Sequence, residues 1–262
     1  MRRPYSNPPV GARVNWSCPI TRGLVFAHVA NLGRTNDLVS GAMPTGTMVS
    51  EFGPLGVANR TITYSLNPNI SFGFRDFSLG FWAKVSGVAS AGVTSQALLH
   101  STDFSGASNH GILLNAMASD AGGKWRFQCM NNAYYTIDST TGWDTYPTVF
   151  VLCTMRFVNA SGSIMKIYVN GREEGEFNSA GGAQASTMGW EIGRTATSMD
   201  ILMYQTYMWG RVVTPSEAMS LYLDKYQMLA PASAGPVIFA APSAGGSAGK
   251  AYYYSQTQGL RG

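Results

Sequence analysis

The stretch SIMKIYVNGREEGEF, Ser163 to Phe177, constrains the fold more than any other part of the chain. Ile164, Lys166 and Tyr168 alternate with Met165, Ile167 and Val169, which is the period of a β-strand. Asn170-Gly171 follows, the dipeptide that accepts positive φ at both centres of a two-residue turn and the strongest short-range hairpin signal. Arg172, Glu173, Glu174 and Glu176 crowd at and just after that turn, where the edge of a hairpin meets water.

The strand period recurs along the chain. DFSLGFWAKVSG sets Phe77, Leu79 and Phe81 against Ser78, Gly80 and Trp82, a strand expected to place one face on the core. GKWRFQCMNNAYYTI follows a Gly-Gly turn and alternates Trp125, Phe127 and Cys129. TVFVLCTMRF is a continuous apolar, β-branched run, the mark of a strand buried on both faces or lying between two layers. DILMYQTYMWG supplies a last strand. One segment reads as a helix: in VTPSEAMSLYLDKYQM, Thr214 caps, Pro215 takes the first helical position and Glu217 completes a capping box. Met219, Tyr222, Leu223 and Tyr226 then fall at helical spacing and are expected to form its core face. Many strands, Gly-rich connections and a single late helix select an all-β, two-sheet antiparallel sandwich over an α/β fold. The 262 residues suit one large β domain.

The totals narrow the function. A net charge of +4 comes from 18 basic residues scattered along the chain, with no run of five such as marks a nucleic-acid patch. The start MRRPYSNPPVG holds no apolar h-region, and no segment has 18 consecutive apolar residues, so neither a secretory signal nor a membrane span is expected. Cys18, Cys129 and Cys153 are too few and too separated for a disulfide framework or zinc knuckle, and read as small core residues.

The two ends differ from the middle. Residues 1–16 carry Pro4, Pro8, Pro9, Arg2, Arg3 and Arg13 without periodicity and read as an extended N-terminal arm. Residues 231–262 form a Pro, Ala, Gly and Ser tract, interrupted by Val237, Ile238 and Phe239 and by Tyr252, Tyr253 and Tyr254, and read as a C-terminal arm around the central domain 17–230. Such compositions do not order themselves, so the arms are expected to dock on partner subunits through Arg2, Arg3 and those apolar and aromatic residues.

In this order, several segments resemble the laminin-G-like, or concanavalin-A-like, family. SCPITRGLVFAHVANLGRTNDLVSG is similar to its opening strand and first loop, and DFSLGFWAKVSG to an early aromatic strand. VFVLCTMRFVNASGSIMKIYVNGREEGEF is similar to its central pair with a YVNG hairpin, WEIGRT to the next strand, and YQTYMWGRVVTPSEAMSLY to the closing strand with its R-x-L-s-x-x-E segment. The resemblance spans residues 17–227 and implies a jelly roll of two curved sheets. The family's roles run from glycan binding to adhesion and passive structure, so the fold does not choose among them. The extension after LYLDKYQMLAP resembles copies of the domain carried by tailed bacteriophages. That implies a non-enzymatic virion protein, a capsid decoration or other particle-surface subunit, made in the host cytoplasm and bound to capsid or to neighbouring copies of itself. The alternative is a lectin-like module of a tail fibre or cell-surface protein that binds host surface glycans.

Sugar hydrolases of this fold place two carboxylates on one strand face, and Glu174 and Glu176 have i, i+2 spacing. They sit just past a turn, however, and read as a solvated edge, so no catalytic residue is expected. Calcium in this family needs clustered loop oxygens. Asp37, Asp76, Asp103, Asp120, Asp138, Asp144 and Asp200 are single, and Tyr204 and Gln205 stand where the family often shows an acidic pair. No cofactor is therefore expected, calcium being the alternative. His28, His100 and His110 stand apart and read as core or loop residues. A glycan platform needs exposed aromatics with polar neighbours, and Asn131, Asn132, Tyr134, Tyr135, Trp143, Asp144 and Tyr146 are the candidates. If the arm assignment holds, removing residues 231–262 abolishes docking to the partner shell and leaves the unfolding midpoint of the sandwich unchanged. A truncated chain that fails to fold contradicts it.

Overall fold

The structure, a computed structural model, describes residues 12–29, 37–43, 57–58, 62–64, 75–85, 95–103, 110–117, 123–143, 145–146, 148–159, 162–181, 189–192 and 201–230. All of them belong to the compact unit Met1–Ala232, and the arm residues Arg2, Arg3, Val237, Ile238, Phe239 and Tyr252–Tyr254 lie outside them. The strands are β1 (Arg13–Val14), β2 (Leu24–Val29), β3 (Val57–Ala58), β4 (Ile62–Tyr64), β5 (Phe77–Val85), β6 (Ser95–Asp103), β7 (His110–Met117) and β8 (Lys124–Asn131). They continue as β9 (Tyr134–Gly142), β10 (Val149–Asn159), β11 (Gly162–Val169), β12 (Arg172–Ser179), β13 (Trp190–Ile192), β14 (Ile201–Trp209) and β15 (Leu229–Ala230). The helix α1 (Pro215–Leu223) lies between the last two.

Strand β10 organises the molecule. Val149, Val151, Cys153 and Met155 project into the core between the sheets, while Phe150 and Leu152 project into a second apolar cluster on the other side. All six are at most 1% exposed, so the continuous apolar run is buried on both faces as its composition requires. Around it, one antiparallel sheet runs β12-β11-β10-β5-β14-β2, with β3 also on β14. The facing sheet runs β4-β13-β6-β7-β8-β9, and β1 pairs with β15 apart from both. This is the two-sheet sandwich expected from the strand pattern, and it is consistent with the jelly roll that the family resemblance implies. Phe77, Leu79 and Phe81 of β5 meet Trp125 and Phe127 of β8 across the interior, with Phe81 edge-on to Trp125 at 5.7 Å between centroids. Each such side chain taken fully out of water contributes about 1.5–3 kcal/mol.

The outer side of the seven-stranded sheet is also covered, which the alternation in β5 does not foretell. Ser78 and Trp82 are buried there, Trp82 among Phe150, Trp209, Val213, Ala218 and Leu221. The cover comes from α1 and from residues 12–29. Val14 lies opposite Leu229 in the β1-β15 pair, and Ala12 and Val14 are buried in the outer cluster. Residues 12–15 therefore contribute to the sandwich, because Ala12 and Val14 have a sheet face to cover and the Asn15 N–H donates to the Met228 carbonyl at 2.7 Å, whereas Trp16 is 60% exposed.

Arg211 ties these covering pieces together. Its guanidinium donates to the Arg22 and Ile20 carbonyls at 2.6 and 3.2 Å and grips Glu217 with two 2.7 Å bonds. Glu217 also accepts from the Thr214 N–H at 2.8 Å while Thr214 Oγ1 accepts from the Glu217 N–H at 3.3 Å, completing the expected capping box. Burial raises the Glu217 pKa, but Arg211 and Thr214 outweigh it and hold the carboxyl below the usual range. The expected face of α1 is buried only in part: Tyr226, just past the helix, is buried and Met219 packs over Gly171. Ala218 and Leu221 are buried, whereas Leu223 is 72% exposed and Tyr222 only stacks along Trp82 at 5.9 Å. The Pro215 start and the cap fix the rotation of this short helix, which turns the smaller residues to the sheet.

The Asn170-Gly171 turn sits beneath that helix. Asn170 and Gly171 have φ of 50° and 79°, as the two-residue turn demands, and Asn170 exchanges two bonds with Phe150, N–H to carbonyl at 2.8 Å and Oδ1 from N–H at 3.0 Å. A Cβ on Gly171 would stand 2.8 Å from the Met219 Cα, backbone that cannot swing aside. Gly171→Ala is thus expected to cost about 2–4 kcal/mol. Gly41 has φ of 75° but nothing within 4 Å, so Gly41→Ala should cost only about 1 kcal/mol. Urea unfolding of the two variants checks the difference, and equal losses would contradict the helix-on-turn packing.

Candidate functional site

The acidic cluster is resolved by a β-bulge. Register slips between Ile167 and Tyr168, so that Gly175 lies opposite Ile167 and Glu173 opposite Tyr168. Glu174 is the extra residue. Glu173 and Glu176 therefore share the Lys166 side of the sheet, with Lys166 Nζ 3.0 Å from Glu173 and 2.7 Å from Glu176. Hydrogen bonds donated to Glu176 and Glu173 hold the Lys166 ammonium above its usual pKa. Tyr168 donates to Glu173 at 3.2 Å, and burial first, then Glu173, pushes its phenol up to about 12. Glu174 instead reaches the facing sheet, where its Oε2 accepts the Thr140 and Thr141 N–H groups of β9 at 3.0 and 2.8 Å. The i, i+2 pair Glu174 and Glu176 is split to two sides and does not form the paired carboxylates of a retaining hydrolase.

Glu174 closes the seam between the sheets. Beside it, a Cβ on Gly175 would meet Ile137 Cδ1 at 3.1 Å, so β12 lies close over β9.

The aromatic and amide candidates are not brought together. Asn131, Asn132 and Tyr134 form the β8-β9 turn, with Asn132 at φ 54°. Trp143 and Tyr146 follow the far end of β9, about 26 Å along the strand. Tyr135 packs against the inter-sheet core, its hydroxyl 2.8 Å from where a Gly181 Cβ would stand. Trp143 is a core residue, 6% exposed, and donates Nε1 to the Met117 carbonyl at 2.5 Å. Tyr146 is 43% exposed and Asp144 lies outside the described residues. Nine residues of extended chain separate what sequence proximity had grouped.

Tyr134 is exposed as expected, with neighbours other than those its sequence position suggests. It is 55% exposed, and because Tyr135 and Ile137 face the core, Tyr134, Thr136, Asp138 and Thr140 share the outer face of β9. On β8, Trp125, Phe127 and Cys129 face inward, which sends Lys124, Arg126 and Gln128 to the same outer face. Register places Gln128 opposite Thr136 and Arg126 opposite Asp138. Asn115 Nδ2 donates to Gln128 Oε1 at 3.0 Å, and Gln128 Nε2 donates to Thr136 Oγ1 at 3.1 Å. Arg126 meets Asp138 through two bonds of 2.6 and 2.7 Å, and those bonds outweigh burial in raising the Arg126 pKa. Tyr134, Gln128, Thr136, Arg126 and Asp138 make the candidate ligand surface, an exposed ring beside fixed donors and acceptors. The polar phase of WRFQC and YTID carried the signal, but only cross-strand register joins the two halves.

Of the carboxylates named for calcium, Asp37, Asp76 and Asp138 have other partners, while Asp120, Asp144, Asp200 and the Asp103 side chain lie outside the described residues. Asp37 is buried and accepts the N–H groups of Ala27, Val39 and Ser40, and Asp76 accepts that of Phe157. Among the described residues, no three His, Cys, Asp or Glu side chains gather as metal ligands. His100 contacts Glu191 at 2.9 Å, and His28 is buried in β2.

A laminin-G-type family model, described as the Concanavalin A-like lectin/glucanases superfamily, matches residues 59–219, more than half of the chain. The chain belongs to that superfamily. No curated protein matches it. Among solved structures, the binding domain of Paraclostridial Mosquitocidal Protein 1 is 15% identical with a TM-score of 0.60, over 79% of this chain and 53% of that one. The receptor binding domain of botulinum neurotoxin D is 16% identical with a TM-score of 0.60, over 79% and 54%. The botulinum neurotoxin serotype D ligand binding domain in complex with N-acetylneuraminic acid is 16% identical with a TM-score of 0.58, over 77% and 50%. This superfamily member spans about half the length of these binding domains, and the likeness is one of fold.

Glu174→Ala removes the acceptor of two β9 N–H groups and is expected to lower stability by about 1–3 kcal/mol. Hydrogen exchange of the Thr140 and Thr141 amides should accelerate in that variant, and unchanged protection would contradict the seam.

Proposed function

We propose that the protein is a non-enzymatic, lectin-like binding module whose ligand is a glycan seated on the outer face of β8 and β9. The observation that carries this is Tyr134, a 55% exposed ring beside the Asn115, Gln128 and Thr136 ladder and the Arg126 and Asp138 pair. An exposed ring covers the apolar face of a sugar while fixed amides, hydroxyls and charged groups meet its hydroxyls. Membership of a superfamily described by its lectins and glucanases supports binding. So does likeness to a domain solved with N-acetylneuraminic acid. The division of Glu174 from Glu176 favours binding over hydrolysis.

We place this module at the surface of a particle or cell, with a bacteriophage virion, anchored through the terminal arms, as the proposed setting. The capsid-decoration role takes second place, since it rests on the terminal arms, of which residues 12–14 serve the sandwich itself.

Glycan-array binding with titration calorimetry tests the proposal. Tyr134→Ala is expected to weaken glycan binding about tenfold or more at an unchanged unfolding midpoint, and Gln128→Ala to weaken it similarly while costing about 1–3 kcal/mol of stability, because the buried Asn115 amide loses its acceptor. Full affinity in both variants would overturn the site.

A further inference from the structure

The charges on this face select among glycans, and the inference that follows rests on the glycan-binding proposal above. Arg126 is the cation closest in register to the centre of the face, and Asp138 already occupies it through paired 2.6 and 2.7 Å contacts. Both side chains are about 30% exposed, so the pair is half desolvated but open to a ligand. An anionic sugar brought to Arg126 would stand against the Asp138 carboxylate, and the repulsion of two carboxylates offsets the attraction of one guanidinium. The further cation on β8, Lys124, lies one row beyond, opposite Gly142. Glu174 adds a second carboxylate at the same edge strand through Thr140 and Thr141.

The remaining groups are neutral and already oriented. Gln128 is pinned at both ends of its amide, accepting from Asn115 and donating to Thr136. Thr136 Oγ1 has its acceptor role filled by Gln128, which leaves its proton to donate outward. Asp138 keeps lone pairs that can accept hydroxyls beyond the two bonds from Arg126. From Tyr134 to Asp138 this alternation of ring, donor and acceptor extends about 13 Å along one strand. Sugar hydroxyls, which both donate and accept, match that array without a net charge. Side chains pinned in advance lose little freedom on binding.

We infer that the β8-β9 face takes a neutral oligosaccharide and discriminates against sialylated or otherwise anionic glycans, because Asp138 neutralises Arg126 within the site. The neighbour solved with N-acetylneuraminic acid therefore does not predict the ligand class of this chain.

The test pairs lactose-terminated glycans with their sialyllactose counterparts on the full chain, in calorimetry at low and at 0.5 M salt. The expected result is binding of the neutral member, weaker binding of the sialylated member, and little salt dependence of the neutral affinity. Asp138→Asn releases Arg126 and is expected to shift preference toward the sialylated member on the order of fivefold. Preference of the native chain for the sialylated glycan, or an unshifted preference in Asp138→Asn, overturns this inference while leaving glycan binding intact. Absence of binding to neutral and sialylated glycans across a broad array overturns the glycan proposal itself.

Discussion

The double burial of β10 is the constraint on which the other parts depend. A strand with Val149, Val151, Cys153 and Met155 on one side and Phe150 and Leu152 on the other cannot lie in a sheet with one wet face. The inward set requires the second sheet, and the outward set requires a cover. Residues 12–29, β15 and α1 provide that cover, and Arg211 joins them through the Ile20 and Arg22 carbonyls and Glu217. The Asn170 turn then bonds back to Phe150, so the hairpin edge, the helix and the central strand hold one another in place.

This arrangement leaves the two sheets unequal. The seven-stranded sheet spends both faces on packing, and its outer side has a helix upon it. On the six-stranded sheet, β8 and β9 instead present a polar outer face with Tyr134 at its end. The bulge in β12 contributes to the same asymmetry. It sends Glu174 across to the N–H groups of Thr140 and Thr141, satisfying an otherwise open strand edge and fixing β9 against the opposite sheet. The proposed ligand surface on β9 thus rests on a strand anchored from both sides, which is what a preorganised binding face needs.

Much of this was legible in the residues. TVFVLCTMRF announced a doubly buried strand, VNG announced the turn, and TPSE announced the cap, because each depends on local chemistry. What was not legible depends on distant partners. Strict alternation put Glu174 and Glu176 on one face, and only the pairing of β11 with β12 reveals the inserted residue. Proximity in sequence grouped Tyr134 with Trp143, although an extended strand carries them to opposite ends of the sheet. Gln128 and Asn115 joined the site through register across β7, β8 and β9, which no single segment displays. The α1 face is legible only in part for a related reason: Tyr226 and Met219 pack as their spacing predicts, but the helix is too short for periodicity alone to settle the rotation of Tyr222 and Leu223, which its cap sets.

The central claim, that the outer face of β8 and β9 is where this sandwich meets its ligand, is tested most directly by amide chemical-shift mapping of the ¹⁵N-labelled chain during titration with a lactose-terminated oligosaccharide. The account predicts perturbations concentrated at residues 126–128 and 134–138, with the indole signals of Trp143 and Trp209 unmoved. Shifts concentrated instead on α1 and residues 12–29 would place the ligand on the covered sheet and contradict it.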